Sequence, residues 1–107
     1  KKMLTWIHQN LDKNISVAEI AQTANICPRE CQRIFQQYLH YSPIEYLQRI
    51  RVFHAAELLT DSDCPITDIA LNCGFSNPSY FSKQFKTIMG SRPREYRAAS
   101  HNGIPIS

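Results

Sequence analysis

One half of this chain repeats the other, and the repeat restricts the possible folds more than any single motif does. Val17-Ala18-Glu19-Ile20-Ala21 returns as Ile66-Thr67-Asp68-Ile69-Ala70 at an offset of 49 residues. Asn25 then falls on Gly74, two residue types suited to the same left-handed backbone position. After one extra residue in the second copy the offset becomes 50. Arg33 meets Lys83, Phe35 meets Phe85, and Pro43-Ile44-Glu45-Tyr46 meets Pro93-Arg94-Glu95-Tyr96. Apolar positions and a cation are repeated together, so both the core and an outward face are duplicated.

The second copy reads as two helices with a tight turn. Ile66, Ile69 and Ala70 share a helical face, and Gly74 supplies a residue that takes positive φ without steric cost. Asn77-Pro78 is a polar cap with proline in the first helical turn, where its missing N–H costs nothing. Phe81, Phe85 and Ile88 give the next helix one apolar face, while Ser79, Ser82, Lys83 and Lys86 occupy the other. A short helix, a turn and a second helix with a polar, basic free face make a helix-turn-helix, whose second helix enters the major groove of DNA.

The first copy follows the same plan. Ser16 to Glu19 is a capping box that opens a short helix with Val17, Ile20, Ala21 and Ala24 inward. Cys27-Pro28 starts the next, with Cys31, Ile34, Phe35 and Tyr38 on one face and Arg29, Gln32, Arg33 and Gln36 on the other. Before it, a helix from about Lys2 to Asp12 presents Leu4, Ile7, His8 and Leu11 inward.

Between the copies, Ser42-Pro43-Ile44-Glu45 forms a second capping box, and no breaker follows until Asp61 to Pro65. The predicted helix is about 18 residues and about 27 Å long. Ile44, Leu47, Phe53, Ala55, Ala56, Leu58 and Leu59 cover more than one of its sides, so it faces two bodies. The predicted fold is all-α, with two helix-turn-helix subdomains joined by a long central helix and about seven helices. Residues 1–42 form the first subdomain, 43–60 the linker helix, 61–98 the second subdomain and 99–107 a flexible tail.

Composition narrows the function classes. A net charge of +3 is mild, and it sits in residues 1–53, where Arg29, Arg33, Arg49 and Arg51 contribute. Arg49 and Arg51 have Glu45 or Glu57 within reach for local ion pairs on the linker helix, with a phosphate contact as the alternative. Cys27, Cys31, Cys64 and Cys73 lack both a short-loop framework and zinc-knuckle spacing, so they read as buried small apolar residues in a reducing cytosol. No apolar run reaches the roughly 20 residues that span a bilayer. No nucleophile, base and orienting group assemble, and no glycine-rich phosphate loop is present, so neither an enzyme nor a cofactor or metal site is expected. The chain opens inside an amphipathic helix, which reads as part of a longer protein. A helical protein-interaction module is the alternative, distinguished only by the polar faces.

In order and spacing, Ile69-Ala70, Gly74-Phe75-Ser76, Tyr80-Phe81, Phe85-Lys86, Gly90 and Pro93-x-x-Tyr96-Arg97 resemble the signature of the AraC/XylS family of bacterial transcription regulators. The likeness spans about Leu4 to Arg97. It implies a seven-helix domain on double-stranded DNA whose two recognition helices enter successive major-groove segments about 34 Å apart. Carried over by position, the base-contact candidates are Arg29, Gln32, Arg33, Ser79 and Lys83. Backbone or secondary contacts fall to Gln36, Asn77, Pro78, Tyr80, Ser82, Gln84 and Lys86. The resemblance further implies an activator in the bacterial cytoplasm, contact with RNA polymerase, and an absent N-terminal domain for effector sensing or dimerisation. Three residues depart from the pattern. His40 stands where glycine usually closes the first recognition helix, Cys27 replaces a serine cap, and Cys31 replaces a larger aliphatic. A strained turn, a weaker cap and looser packing are expected there.

Overall fold

Both helix-turn-helix units turn on a matched pair of backbone hydrogen bonds. In a computed structural model, which describes residues 2–101, the chain forms α1 (Lys2–Asn10), α2 (Val17–Gln22), α3 (Pro28–Leu39), α4 (Pro43–Asp61), α5 (Ile66–Asn72), α6 (Pro78–Met89) and α7 (Pro93–His101). No strand occurs among the described residues. After α2, the Ile26 N–H donates to Ala21 O at 3.2 Å and the Asn25 N–H to Gln22 O at 3.1 Å. After α5, Phe75 donates to Ala70 O at 2.9 Å and Gly74 to Leu71 O at 3.1 Å. These are the two bonds of a Schellman motif, which needs a left-handed residue between them. Asn25 (φ 56°) and Gly74 (φ 90°) supply it.

The other helix ends repeat as well. Glu19 donates its N–H to Ser16 Oγ and accepts from the Ser16 N–H, completing the box that opens α2. Ser42 and Glu45 do the same for α4, at 2.8 and 3.1 Å. At α7 only half of that box remains: the Arg92 N–H donates to Glu95 Oε1 at 3.0 Å, and an arginine side chain has no acceptor to return the bond. His40 (φ 62°) and Gly90 (φ 87°) close α3 and α6 in left-handed geometry, as expected of the position where histidine replaces glycine.

The chain divides into two compact units between Ile50 and Arg51, inside α4. The first packs Ile7, Ile20, Cys31, Phe35 and Leu47 at its centre, the second Val52, Leu59, Ile69, Phe81 and Phe85. In each, a tyrosine one helix later meets the recognition helix edge-on. Tyr46 stands 5.9 Å from Phe35, and Tyr96 stands 5.5 Å from Phe85. The sequence repeat is therefore a repeat of contacts. In the second unit Arg97 donates from Nε to Leu59 O (3.2 Å) and from Nη2 to Ser62 O (3.1 Å), satisfying carbonyls at the end of α4.

Several expectations are corrected. In α1 the buried stripe is Met3 and Ile7, whereas His8 is exposed with Nε2 3.2 Å from Tyr46 Oη. Leu11 lies beyond the end of α1 and is half-buried. Tyr38 is 72% exposed because Cys31, Phe35 and Leu39, at steps of four, carry the inner stripe of α3. It lines instead a cleft of about 180 Å³ with Met3, Leu4, Ile34, Phe35 and Leu39. Phe53 is 44% exposed, and its neighbours Arg51 and Val52 are buried in its stead. The predicted tail begins too early: α7 runs to His101, and Ser100 Oγ donates to Tyr96 O. The remainder of that tail, 102–107, lies outside the described residues.

A left-handed L-residue costs about 1–2 kcal/mol, a penalty glycine escapes. His40→Gly should therefore stabilise the first unit by about 1 kcal/mol. Gly90→Ala should destabilise the second by about the same amount, through backbone strain alone, since an added Cβ there meets nothing within 4 Å. Urea unfolding midpoints of the two variants check both signs.

Candidate nucleic-acid interface

At 3.6 residues per turn, positions i, i+3, i+4 and i+7 line one helical face. Arg29, Gln32, Arg33 and Gln36 hold these positions in α3, and all four are exposed. Cys31 and Phe35, buried, lie on the opposite side. Fifty residues on, Ser79, Ser82, Lys83 and Lys86 repeat the set in α6, with Ser82 half-buried and the others exposed. Phe81 and Phe85 are buried behind them. Burying a phenylalanine against a tyrosine thus rotates each helix so that its polar row faces outward.

The two helices open differently. Asn77 Oδ1 accepts the N–H groups of Ser79 (2.8 Å) and Tyr80 (3.2 Å), so its amide oxygen serves α6 rather than a ligand. Pro78 follows, exposed, in the first turn. Tyr80 is 44% exposed and rests its ring 6.2 Å from Phe75, while Gln84 is half-buried. At α3, Cys27 occupies the capping position without a side-chain hydrogen bond.

The cations differ more. Arg33 donates from Nε to Glu30 Oε1 at 3.1 Å, from Nη2 to Glu30 Oε2, and from Nη1 to Gln37 Oε1 at 3.1 Å. The hydrogen bonds from Arg33 hold the Glu30 carboxyl below the usual glutamate value, against an opposing desolvation and with a lesser contribution from the guanidinium charge. The same bonds raise the Arg33 guanidinium. Lys83, the equivalent cation of α6, has no carboxylate within ion-pair distance among the described residues. Neither Glu30 nor Gln37 was singled out from sequence as a partner of Arg33. The spacing of three and four residues around a helical arginine is the signal that finds them. On α4, Arg49 lies over the Tyr41 ring at 4.4 Å, and Arg51 is buried with its guanidinium 6.0 Å from the Phe75 ring.

Cys31 and Cys73 are buried, and burial pushes the Cys31 thiol up. Cys27 and Cys64 are exposed, which corrects the expectation that all four are core residues. Among the described residues no group of three or more histidine, cysteine or acidic side chains gathers as a metal site. No described helix is long and apolar enough to cross a membrane.

A helix-turn-helix family model matches residues 9–99. An AraC-type DNA-binding domain protein from Chromobacterium violaceum superposes with a TM-score of 0.89 at 30% identity, covering 92% of this chain and 88% of that one. The chain belongs to the AraC-type helix-turn-helix family. The DNA-binding domain of AdpA, solved in complex with a target DNA, matches this AraC-type chain with a TM-score of 0.89 at 30% identity, over 98% and 95% of the two chains. The transcriptional regulator GbdR of Pseudomonas aeruginosa is 32% identical over 106 residues, 99% of this chain and 29% of GbdR. The AraC-type chain thus spans less than a third of that relative's length. The seven helices among its described residues, with their paired helix-turn-helix units, have the fold of an AraC-type DNA-binding domain.

Two measurements test the local chemistry. Because the Glu30 carboxyl is lowered, its pairing with Arg33 is complete above the usual glutamate value and is lost as pH falls through the lowered one. A carboxyl NMR titration should place Glu30 below that value and return it there in Arg33→Ala. At the helix starts, Cys27→Ser should stabilise by about 1 kcal/mol and Asn77→Ala should destabilise by about the same, read by chemical denaturation.

Proposed function

We propose that this chain is the sequence-reading domain of a bacterial transcription activator, inserting α3 and α6 into successive major-groove segments of double-stranded DNA. The observation that carries the reading is the outward row of polar and cationic side chains, repeated 50 residues apart on two helices whose opposite faces are buried. Duplicated cores alone would be satisfied by any outer residues; a duplicated outer row calls for a duplicated ligand, and successive grooves of a duplex are one.

In this reading Arg33 and Lys83 donate to guanine O6 and N7, Arg29 assists Arg33, and Gln32 pairs with adenine N6 and N7. Ser79 reads a base edge from the first turn of α6. Gln36, Ser82, Gln84, Lys86 and the Tyr80 hydroxyl contact the backbone or assist, and Asn77 and Pro78 set the start of α6 against it. Residues 1–42 and 61–98 each act as one reading subdomain, with the helix from Pro43 between them. The longer relatives support a full-length protein with an N-terminal sensing or dimerisation domain, working in the cytoplasm and contacting RNA polymerase.

Arg33→Ala and Lys83→Ala should each cost about 1–3 kcal/mol, concentrated at one base step, in titrations of a duplex selected from a random pool. The selected pool should hold two enriched blocks about one helical turn apart. Equal losses on selected and random duplexes would assign the two cations to phosphates. No enrichment, with weak binding that vanishes as salt rises, would leave only counterion release and favour a protein-interaction module.

A further inference from the structure

The two reading helices carry equivalent cations in unlike settings. Three of the five N–H donors of Arg33 are engaged, two by Glu30 and one by Gln37. One N–H remains on each terminal nitrogen, and a bidentate contact to guanine O6 and N7 needs two donors. Glu30 takes the edge formed by Nε and Nη2, so it holds the guanidinium without consuming its donor capacity at the far end. Both side chains are accessible to a ligand: Arg33 is 61% exposed and Glu30 41%. Fifty residues on, Tyr80 stands where Glu30 does and Thr87 where Gln37 does. The Thr87 hydroxyl donates back to Lys83 O at 2.9 Å, so it braces the helix and not the cation.

We propose that Glu30 is a specificity-determining positioning residue: it orients Arg33 for guanine and restrains it from phosphates, so that α3 discriminates bases more sharply than α6 does. The proposal rests on the reading of Arg33 as a base contact. Two physical effects combine in it. A carboxylate held across one edge fixes the plane of a guanidinium that would otherwise sample many rotamers, so less freedom is lost on docking. The same carboxylate adds a negative charge beside the cation, which opposes any contact that merely seeks a phosphate. Lys83 has neither restraint, and its ammonium is a point charge with three rotatable donors.

The test uses the whole chain, a duplex selected from a random pool, variants of it with each G·C pair replaced by A·T, and a random duplex. Arg33→Ala first locates the base pair whose replacement no longer matters. Glu30→Gln should then lower discrimination at that pair by at least about threefold, a fraction of what a bidentate contact supplies. Binding to random duplex should hold or tighten, and its dependence of log affinity on log salt should steepen by up to about 0.9, one added phosphate contact. In the Arg33→Ala background Glu30→Gln should do nothing further to discrimination. Unfolding midpoints and circular dichroism of each variant confirm that the helix is retained, because Glu30 also lies in the first turn of α3, where a carboxylate favours the helix.

Unchanged discrimination in Glu30→Gln, an equal loss on selected and random duplex, or the same loss with Arg33 absent overturns the proposal while leaving Arg33 as a reader. Sharper discrimination in Glu30→Gln also overturns it, by making Glu30 a competitor of the base. If Arg33→Ala keeps every base preference, the underlying reading fails instead.

Discussion

The edge-on packing of a tyrosine against the central phenylalanine of the preceding helix is the contact on which each unit depends. Phe35 meets Tyr46 and Phe85 meets Tyr96 at nearly the same separation. A phenylalanine is large enough that burying it settles the rotation of a twelve-residue helix about its own axis, and that rotation decides which residues face outward. The outward row follows from the inward pair. A turn of the helix by one residue, about 100°, would carry Arg33 and Lys83 to the flank.

Around that contact the chain uses the same local devices twice and lets their quality differ. The Schellman turns are equivalent, although one uses asparagine and the other glycine. The caps are not: Asn77 satisfies two N–H groups where Cys27 satisfies none. Histidine closes α3 in the conformation that glycine adopts at α6, and Cys31 stands where α6 has Phe81, a far larger side chain. Each of these differences falls in the first unit, at the start, the end or the inner face of α3. The ion pair of Glu30 with Arg33 restores order locally, at one exposed side chain of α3.

Much of this was legible in the sequence because caps, turns and stripes are local. Ser16 with Glu19, Ser42 with Glu45, Asn25, Gly74 and Asn77 are each readable from a few neighbouring residues, and the structure places all of them in the roles their chemistry suggests. The offset of 50 between Arg33 and Lys83 located the outward row of both helices. Errors arose where an apolar residue had to choose between two sides. Tyr38 and Phe53 fit an apolar stripe by spacing, yet both are exposed, because the stripe was filled by residues nearer its centre. His8 turned outward for the same reason when Met3 took the inner position.

By itself the sequence determined the all-α class, the two helix-turn-helix units, their capping residues and the family to which the chain belongs. Those properties depend on spacing along the chain and on backbone preferences of single residue types, which need no knowledge of what lies across the core. Tertiary structure alone decided that Arg97 satisfies the carbonyls of Leu59 and Ser62 and that Arg51 is buried near Phe75. A long flexible cation has many partners within reach, and only the packed positions of the surrounding groups select among them.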